Sequence, residues 1–389
     1  MRKLPTYLDR YPAKMVSRLA DRLVNDYAGD AKSLLDPFCG SGAIIFEGAQ
    51  RGISSHGIDI NPYGVLLSKV KIEGFDSRRT KRMWADLRNQ AFRSREALAV
   101  DWEAKDYWFT PATLQKYEQL RAVLRTARAA HSHSGRAILL AYALSVRRCS
   151  RADQRSPKPF ISKIARQKRF GHHYDPILEI DSLLQKLCGL YGQKTGREAH
   201  VKCGDVVKSG IDVGIHTHVI TSPPYINAQD YFRNFKLELY LLEGLLDFSV
   251  AAIKERFIGT ERGNILRDIP QVALEKNLLL VDGLKNLRRK RPREASIVDR
   301  YCWDMSQAIK TITGSLVSGG KFVLVCGDNL VAGQRIPTWR VLNSMVEERG
   351  LVLQEQFGDK IECRQLPPKR NGHKALIKQE VVSVFVKPN

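Results

Sequence analysis

The sequence predicts an α/β fold interrupted by a helical insertion. Three observations predict it. Ser33-Leu34-Leu35 is an apolar run that passes through Asp36-Pro37-Phe38-Cys39-Gly40-Ser41-Gly42 into a helix-patterned stretch, Ala43 to Ala49. His218-Val219-Ile220 is another apolar run, and it leads into Thr221-Ser222-Pro223-Pro224-Tyr225. Between about 65 and 200, strand signals give way to basic, helix-patterned sequence.

The elements follow in order. Met15, Leu19 and Leu23 share one face of an entry helix. The first strand ends in Asp-Pro, and Gly40 and Gly42 then let the backbone turn sharply and a ligand approach it closely. Gly57-Ile58-Asp59-Ile60-Asn61-Pro62 is a second short strand ending in an acid, placed to hold two ribose hydroxyls. No G-K-[ST] follows the glycines, which disfavours a phosphate loop, and position 45 is Ile where a dinucleotide site wants Gly. The turn therefore suits a nucleoside without a pyrophosphate.

In the insertion, Leu114, Tyr117, Leu120, Val123 and Leu124 recur at helical spacing, and Ala137 to Leu144 is an apolar helix that reads as core. Arg151, Arg155, Lys158, Lys163, Arg166, Lys168 and Arg169 then stand against Asp153 alone, with Pro157 and Pro159 breaking regular structure and Phe160 and Phe170 interleaved. Such a loop can track a phosphate backbone; a solvated charge run is the alternative. A second basic block, Lys285 to Arg293, lies in a stretch from 255 to 298 that reads as irregular. Beyond it an amphipathic helix is expected over 301–317, stopped by Gly319-Gly320. A strand at 321–326, a helix near 338–349, a strand near 351–357 and a closing strand at 380–386 complete the order.

Composition narrows the partners. The 389 residues carry a net charge of +22, which suits a polyanion. The seven cysteines form no C-x-x-C pair, so neither a metal site nor a disulfide framework is expected, and a reducing cytoplasm fits. Cys39 meets the turn's need for a small residue and is given no nucleophilic role. No apolar run is long enough to suggest a membrane span, and no signal-peptide core opens the chain.

The motifs carry a resemblance. Asp36-Pro37-Phe38-Cys39-Gly40-Ser41-Gly42 resembles motif I of the S-adenosylmethionine-dependent amino-methyltransferases that act on nucleic acid bases. Gly57 to Pro62 resembles their motif II, Tyr11-Pro12-Ala13-Lys14 their motif X, and Cys203-Gly204-Asp205-Val206 their motif III. Ser222-Pro223-Pro224-Tyr225 resembles their catalytic motif IV, [ST/D]-P-P-[YF]. The resemblance implies a Rossmann-like, seven-stranded, mostly parallel sheet with a C-terminal antiparallel hairpin. It implies S-adenosylmethionine as cofactor, without a metal, held by Lys14, Asp36, Pro37, Phe38, Gly40, Gly42, Asp59 and Ile60, with Asp205 at the adenine amine.

Chemistry explains the catalytic residue types. An exocyclic base amine is a poor nucleophile because its lone pair is delocalised into the ring. Accepting its two N–H groups, at the Ser222 hydroxyl and the Pro223 carbonyl, favours a pyramidal nitrogen. Pro223 and Pro224 stiffen the loop and remove two backbone donors. Tyr225 can stack on the base. No Pro-Cys dipeptide follows a strand, the mark of carbon-5 cytosine methylation in related enzymes.

Thr221 before Ser222 resembles the cytosine-N4 form. That implies a site-specific enzyme that flips a cytosine out of double-stranded DNA. It places the enzyme in a restriction-modification system, where a cognate endonuclease is a partner to look for. Adenine N6 stays open as the target. So does guanine N2 in tRNA, although Ser222 stands where those enzymes usually carry Asp. Residues 1–64 and 201–389 would form the catalytic part and 65–200 a candidate recognition insertion, with the 255–300 stretch as the other candidate. Arg151, Arg155, Lys158, Lys163, Arg166, Arg233 and Arg289 would meet the DNA.

Overall fold

Short apolar strands build one sheet. They are β1 (Ser33–Asp36), β2 (Ser54–Asp59), β3 (His200–Cys203), β4 (His216–Thr221) and β5 (Leu316–Gly327). A small hairpin follows, β6 (Asn329–Val331) with β7 (Gln334–Ile336), then β8 (Val352–Lys360) and β9 (Gln379–Val386). The computed structural model describes residues 11, 15–154, 158–162, 175–193, 195, 197, 200–208, 211–226, 231–259, 284–360 and 379–389. The strand order is β3-β2-β1-β4-β5-β9-β8. The first five strands are parallel to their neighbours, and β9 runs antiparallel between β5 and β8. This is the seven-stranded Rossmann-like sheet with an antiparallel C-terminal hairpin.

The longer helices are α1 (Ser17–Tyr27), α2 (Ala43–Gln50), α3 (Pro62–Glu73), α4 (Ser77–Arg93), α5 (Pro111–Thr126), α6 (His133–Arg148) and α7 (Pro176–Tyr191). After them come α8 (Tyr231–Leu242), α9 (Leu284–Lys290), α10 (Pro292–Ser315) and α11 (Thr338–Glu347). Two compact units emerge. A sheet unit comprises Pro12–Ile60, His200–Tyr231 and Glu255–Asn389; a helical unit comprises Met1–Tyr11, Asn61–Ala199 and Phe232–Lys254.

In the sheet unit, helices cover both faces, which is why the strands read as continuous apolar runs. Successive side chains alternate between the faces. Leu34 packs with Leu23 and Val24 of α1, while Leu35 packs in the cluster of Tyr301, Met305 and Ile309 of α10.

In the helical unit, α6 is buried along most of its length, with Ile138, Leu140 and Tyr142 all inaccessible to solvent. Arg121 of α5 is 3% exposed. Its guanidinium donates to the carbonyls of Leu98 (3.1 Å), Ala99 (3.4 Å), Tyr240 (3.1 Å), Leu241 (2.8 Å) and Glu243 (2.8 Å). The cation thus satisfies carbonyls that the end of α8 leaves without intrahelical partners.

The structure adds to this reading in several places. Residues 232–254 cluster with the helical unit. Their rings explain it: Phe235 packs on Tyr63 and Tyr11, and Tyr240 stacks on Trp102. The stretch expected to be irregular is helical from Leu284, with Pro292 at the first turn of α10; residues 260–283 lie outside the described ones. Gly319-Gly320 does not stop a helix but lies within β5, where Gly319 N donates to Lys387 O and Lys387 N to Gly320 O. The β6–β7 hairpin was not anticipated; Ala332 and Gly333 at its turn both take positive φ.

Candidate functional site

The parallel strands end along one edge of the sheet. Asp36 closes β1, Asp59 closes β2, Asp205 follows β3 and Ser222 follows β4. Carboxyl ends of parallel strands are where ligands bind in open α/β sheets.

The glycine turn is built around Asp59. Cys39 N donates to Ile58 O at 3.0 Å, and Gly40 N donates to Asp59 Oδ2 at 2.7 Å. Gly40 and Gly42 take φ of 50° and 75°, left-handed values that side chains oppose. Gly42 caps α2 with no side-chain hydrogen bond, and no acid stands in the first turn. A helix start of that kind directs backbone N–H groups and a positive dipole end outward, which suits a carboxylate. Asp59 and Ile60 are half-buried, Phe38 is half-buried and Pro37 buried. A nucleoside carrying an amino-acid tail fits this set: an acid for ribose, apolar flanks for the base, and a bare helix start for the carboxylate.

Asp205 is engaged on both oxygens. Oδ1 accepts from Val207 N at 3.0 Å, and Oδ2 from Arg256 Nε at 2.9 Å and Nη2 at 2.5 Å. Sequence reasoning passed over Arg256.

Asp36 links the turn to the Ser222-Pro223-Pro224-Tyr225 loop. It is 4% exposed, and its Oδ1 accepts from Thr221 Oγ at 2.7 Å and Phe38 N at 3.2 Å. Burial pushes the Asp36 carboxyl up to about 7; the Asp59 charge adds to this, and the Thr221 and Phe38 hydrogen bonds oppose it.

Ser222 and Pro224 are half-buried, and Pro223 and Tyr225 are buried. The loop is anchored again beyond Ser222. Tyr301 OH donates to Pro224 O at 2.9 Å, and Tyr225 OH donates to a carboxylate oxygen of Glu380, at the start of β9. Burial pushes the Tyr225 phenol far up, with the Glu380 charge adding. Tyr301 was legible only as part of an apolar helix face, and Glu380 only as a strand residue. Their partners lie 77 and 155 residues away, so no local pattern marks either.

The other sequence candidates are distributed. Lys14, Arg155, Lys163 and Arg166 lie outside the described residues. Arg151 is half-buried, and its Nη1 donates to Asp106 O at 2.8 Å. Lys158 and Arg233 are half-buried in the helical unit. Arg289 is exposed on α9 and donates to Asn286 Oδ1 at 3.2 Å. Among the described residues there is no group of three or more His, Cys, Asp or Glu able to hold a metal ion, and no helix long and apolar enough to cross a membrane.

Comparison with known proteins gives a consistent picture. Residues 7–100 match the family model described as UPF0020, RMKL-like, methyltransferase domain. Over 80 residues, 21% of this chain and 15% of the relative, the sequence is 30% identical to Type II methyltransferase M.MjaII of Methanocaldococcus jannaschii. Over 80 residues, 20% of this chain and 18% of the relative, it is 36% identical to Type II methyltransferase M.MvaI of Kocuria varians. The chain thus matches less than a fifth of the length of either relative. Among solved structures, a TehB-like SAM-dependent methyltransferase from Corynebacterium glutamicum aligns at 11% identity and a TM-score of 0.33, covering 98% of this chain and 92% of that one. The likeness to a methyltransferase domain thus rests on residues 7–100, which hold the glycine turn and Asp59.

Proposed function

We propose that this chain is a methyltransferase that acts on DNA and transfers a methyl group from S-adenosylmethionine to the exocyclic N4 amine of a flipped cytosine. One observation carries the reading: the Thr221–Asp36 hydrogen bond joins the head of the Ser222-Pro223-Pro224-Tyr225 loop to the strand that opens the glycine turn. The printed names of the two Type II relatives, taken with the +22 charge, favour DNA as the substrate.

In this reading Asp59 holds the ribose, the start of α2 the methionine carboxylate, and Phe38 and Ile60 flank the adenine. Asp205 accepts from the adenine amine, sharing its carboxylate with Arg256. Asp36, Pro37, Gly40 and Gly42 shape the turn, and Lys14 closes over the methionine end. When bound, the cofactor supplies an electrophilic methyl on a sulfonium. The chain's own task is to prepare the nucleophile. The Ser222 hydroxyl and the Pro223 carbonyl accept the two amine N–H groups, which draws the nitrogen lone pair out of the ring. Because the loop is stiff and anchored, these acceptors need little rearrangement on binding, the condition under which preorganised hydrogen bonds lower a barrier most. Arg151, Lys158, Arg233 and Arg289, with Arg155, Lys163 and Arg166, supply phosphate contacts. A restriction-modification setting in the cytoplasm, with a cognate endonuclease, completes the proposal.

The test is tritiated methyl transfer to DNA followed by nucleoside analysis. N4-methylcytosine is expected. N6-methyladenine would move the target to adenine, and label in RNA alone would remove DNA as the substrate.

A further inference from the structure

We infer that Glu380 is a positioning residue for methyl transfer and acts through the Tyr225 hydroxyl to hold the catalytic loop in its working shape. The inference rests on the functional reading above.

The geometry is specific. Glu380 enters at the start of β9, the strand that runs antiparallel between β5 and β8, and is paired with Gly327 on one side and Asp359 on the other. Because β9 is antiparallel, its first residues reach the edge where the parallel strands end. There Glu380 accepts the Tyr225 hydroxyl. Tyr225 is 5% exposed, so most of its ring is committed to the protein interior. A ring needed only for stacking on a base gains nothing from a hydroxyl. A buried phenol that donates to a half-buried carboxylate has the different role of anchor.

Side-chain hydrogen bonds hold the loop at several points: Thr221 on Asp36, the Pro224 carbonyl on Tyr301, the Tyr225 backbone on the Tyr231 side chain, and the Tyr225 hydroxyl on Glu380. Ser222 and Pro223 lie between the first anchor and the others. The first restrains the head of the loop on β1, and the last restrains its tail on β9. A hydrogen bond to a charged acceptor is stronger than a neutral one, and it loses this advantage if either partner is truncated. Releasing the tail frees the Pro223 carbonyl to wander. That would raise the barrier while leaving the pocket for the methyl donor intact.

Double-mutant kinetics test the inference. Glu380→Ala and Tyr225→Phe are each expected to lower kcat roughly tenfold, the effect of losing one charge-assisted hydrogen bond. Cofactor affinity by titration calorimetry and DNA affinity by anisotropy should each stay within about threefold, on the same scale of interaction. The double variant should be no slower than the slower single one. Glu380→Gln keeps an acceptor and should recover most of the loss. Circular dichroism and thermal midpoints check that each variant folds. Multiplicative losses, or wild-type kcat in Glu380→Ala and Tyr225→Phe, would overturn the inference while leaving the functional reading in place. A wild-type protein that labels neither DNA nor RNA would overturn the reading and the inference together.

Discussion

The Thr221 hydroxyl donates to the buried Asp36 carboxyl at 2.7 Å, across two neighbouring parallel strands and 185 residues of sequence. It connects the last residue of β4 to the last residue of β1, and hence the residue before Ser222 to the residue before the glycine turn. Thr221→Val preserves shape and removes the donor. The buried carboxyl then loses a partner, and a destabilisation of about 1–3 kcal/mol is expected, read from urea denaturation. Turnover should fall as well in the proposed reading, since the head of the Ser222-Pro223-Pro224-Tyr225 loop loses its tether. Unchanged stability together with unchanged turnover would show that this bond is incidental.

Asp36 also makes stability depend on pH. Its folded pKa, about 7, lies above the reference of 3.8, so between these values the folded state holds a proton that the unfolded state has released. Stability contributed here is present at low pH and is lost as pH rises from about 4 to about 7. Glu238, raised to about 7, and Asp304, raised to about 6, both chiefly by burial, act with the same sign. The contribution of Asp36 is therefore read as a difference. Asp36→Asn should gain stability relative to wild type as pH rises through that window, measured by denaturation at a series of pH values. A constant difference between the two proteins would contradict the assignment.

Ser222→Ala should lower kcat by roughly 10²–10³, the usual cost of one preorganised hydrogen-bonding group at a reacting centre. Cofactor affinity should persist, because Ser222 belongs to the loop after β4 and the glycine turn to β1. Radiolabel transfer and calorimetry on the same preparation separate the two.

Asp59 has two tasks that substitution can separate. Its Oδ2 accepts the Gly40 N–H at 2.7 Å, and its carboxylate is the proposed ribose clamp. Asp59→Asn keeps an acceptor for Gly40 and weakens the clamp. Asp59→Ala loses both. Cofactor Kd measured by calorimetry should rise roughly tenfold in Asp59→Asn, the order expected for one charge-assisted hydrogen bond, and further in Asp59→Ala. Equal losses would place the whole effect in the turn.

Neutralising Lys158 or Arg289 should weaken DNA binding across all sequences and reduce the slope of log K against log salt by about one for each phosphate left without its cation. Anisotropy titrations from low to high salt measure this directly. An unaltered slope would assign the residue to solvated surface.

Local chemistry made much of the fold legible. Gly40 and Gly42 announce a turn because few other residues take their φ values. Pro223-Pro224 announces a stiff loop for the opposite reason: proline restricts φ and cannot donate. Leu34-Leu35 and His218-Val219-Ile220 read as strands covered on both faces, because each alternate residue meets a separate core. What stayed hidden lies in pairings across the chain. Glu380 sits in an apolar strand that would look the same without its bond to Tyr225. Arg256 lies in a charge-rich stretch with nothing to single it out as the partner of Asp205. Gly319-Gly320 carried a helix-stop signature, yet the pair joins a strand because the C-terminal segment is there to bond it. Pro292 opens α10 from within a run of basic residues that carries no hydrophobic periodicity, so the helix start has no apolar pattern to mark it.

The guanidinium of Arg121 has a consequence for how this chain can change through time. Its carbonyl partners come from two separated segments, 98–99 and 240–243, and each must arrive at a fixed distance and angle. A substitution on the outer surface of either segment leaves that geometry alone. Gaining or losing a single residue in either does not, because every carbonyl downstream would rotate away from a buried cation that has no water to turn to. Length should therefore be held constant at these two places while composition drifts, and libraries of random insertions and deletions should recover functional clones elsewhere on the surface but not there.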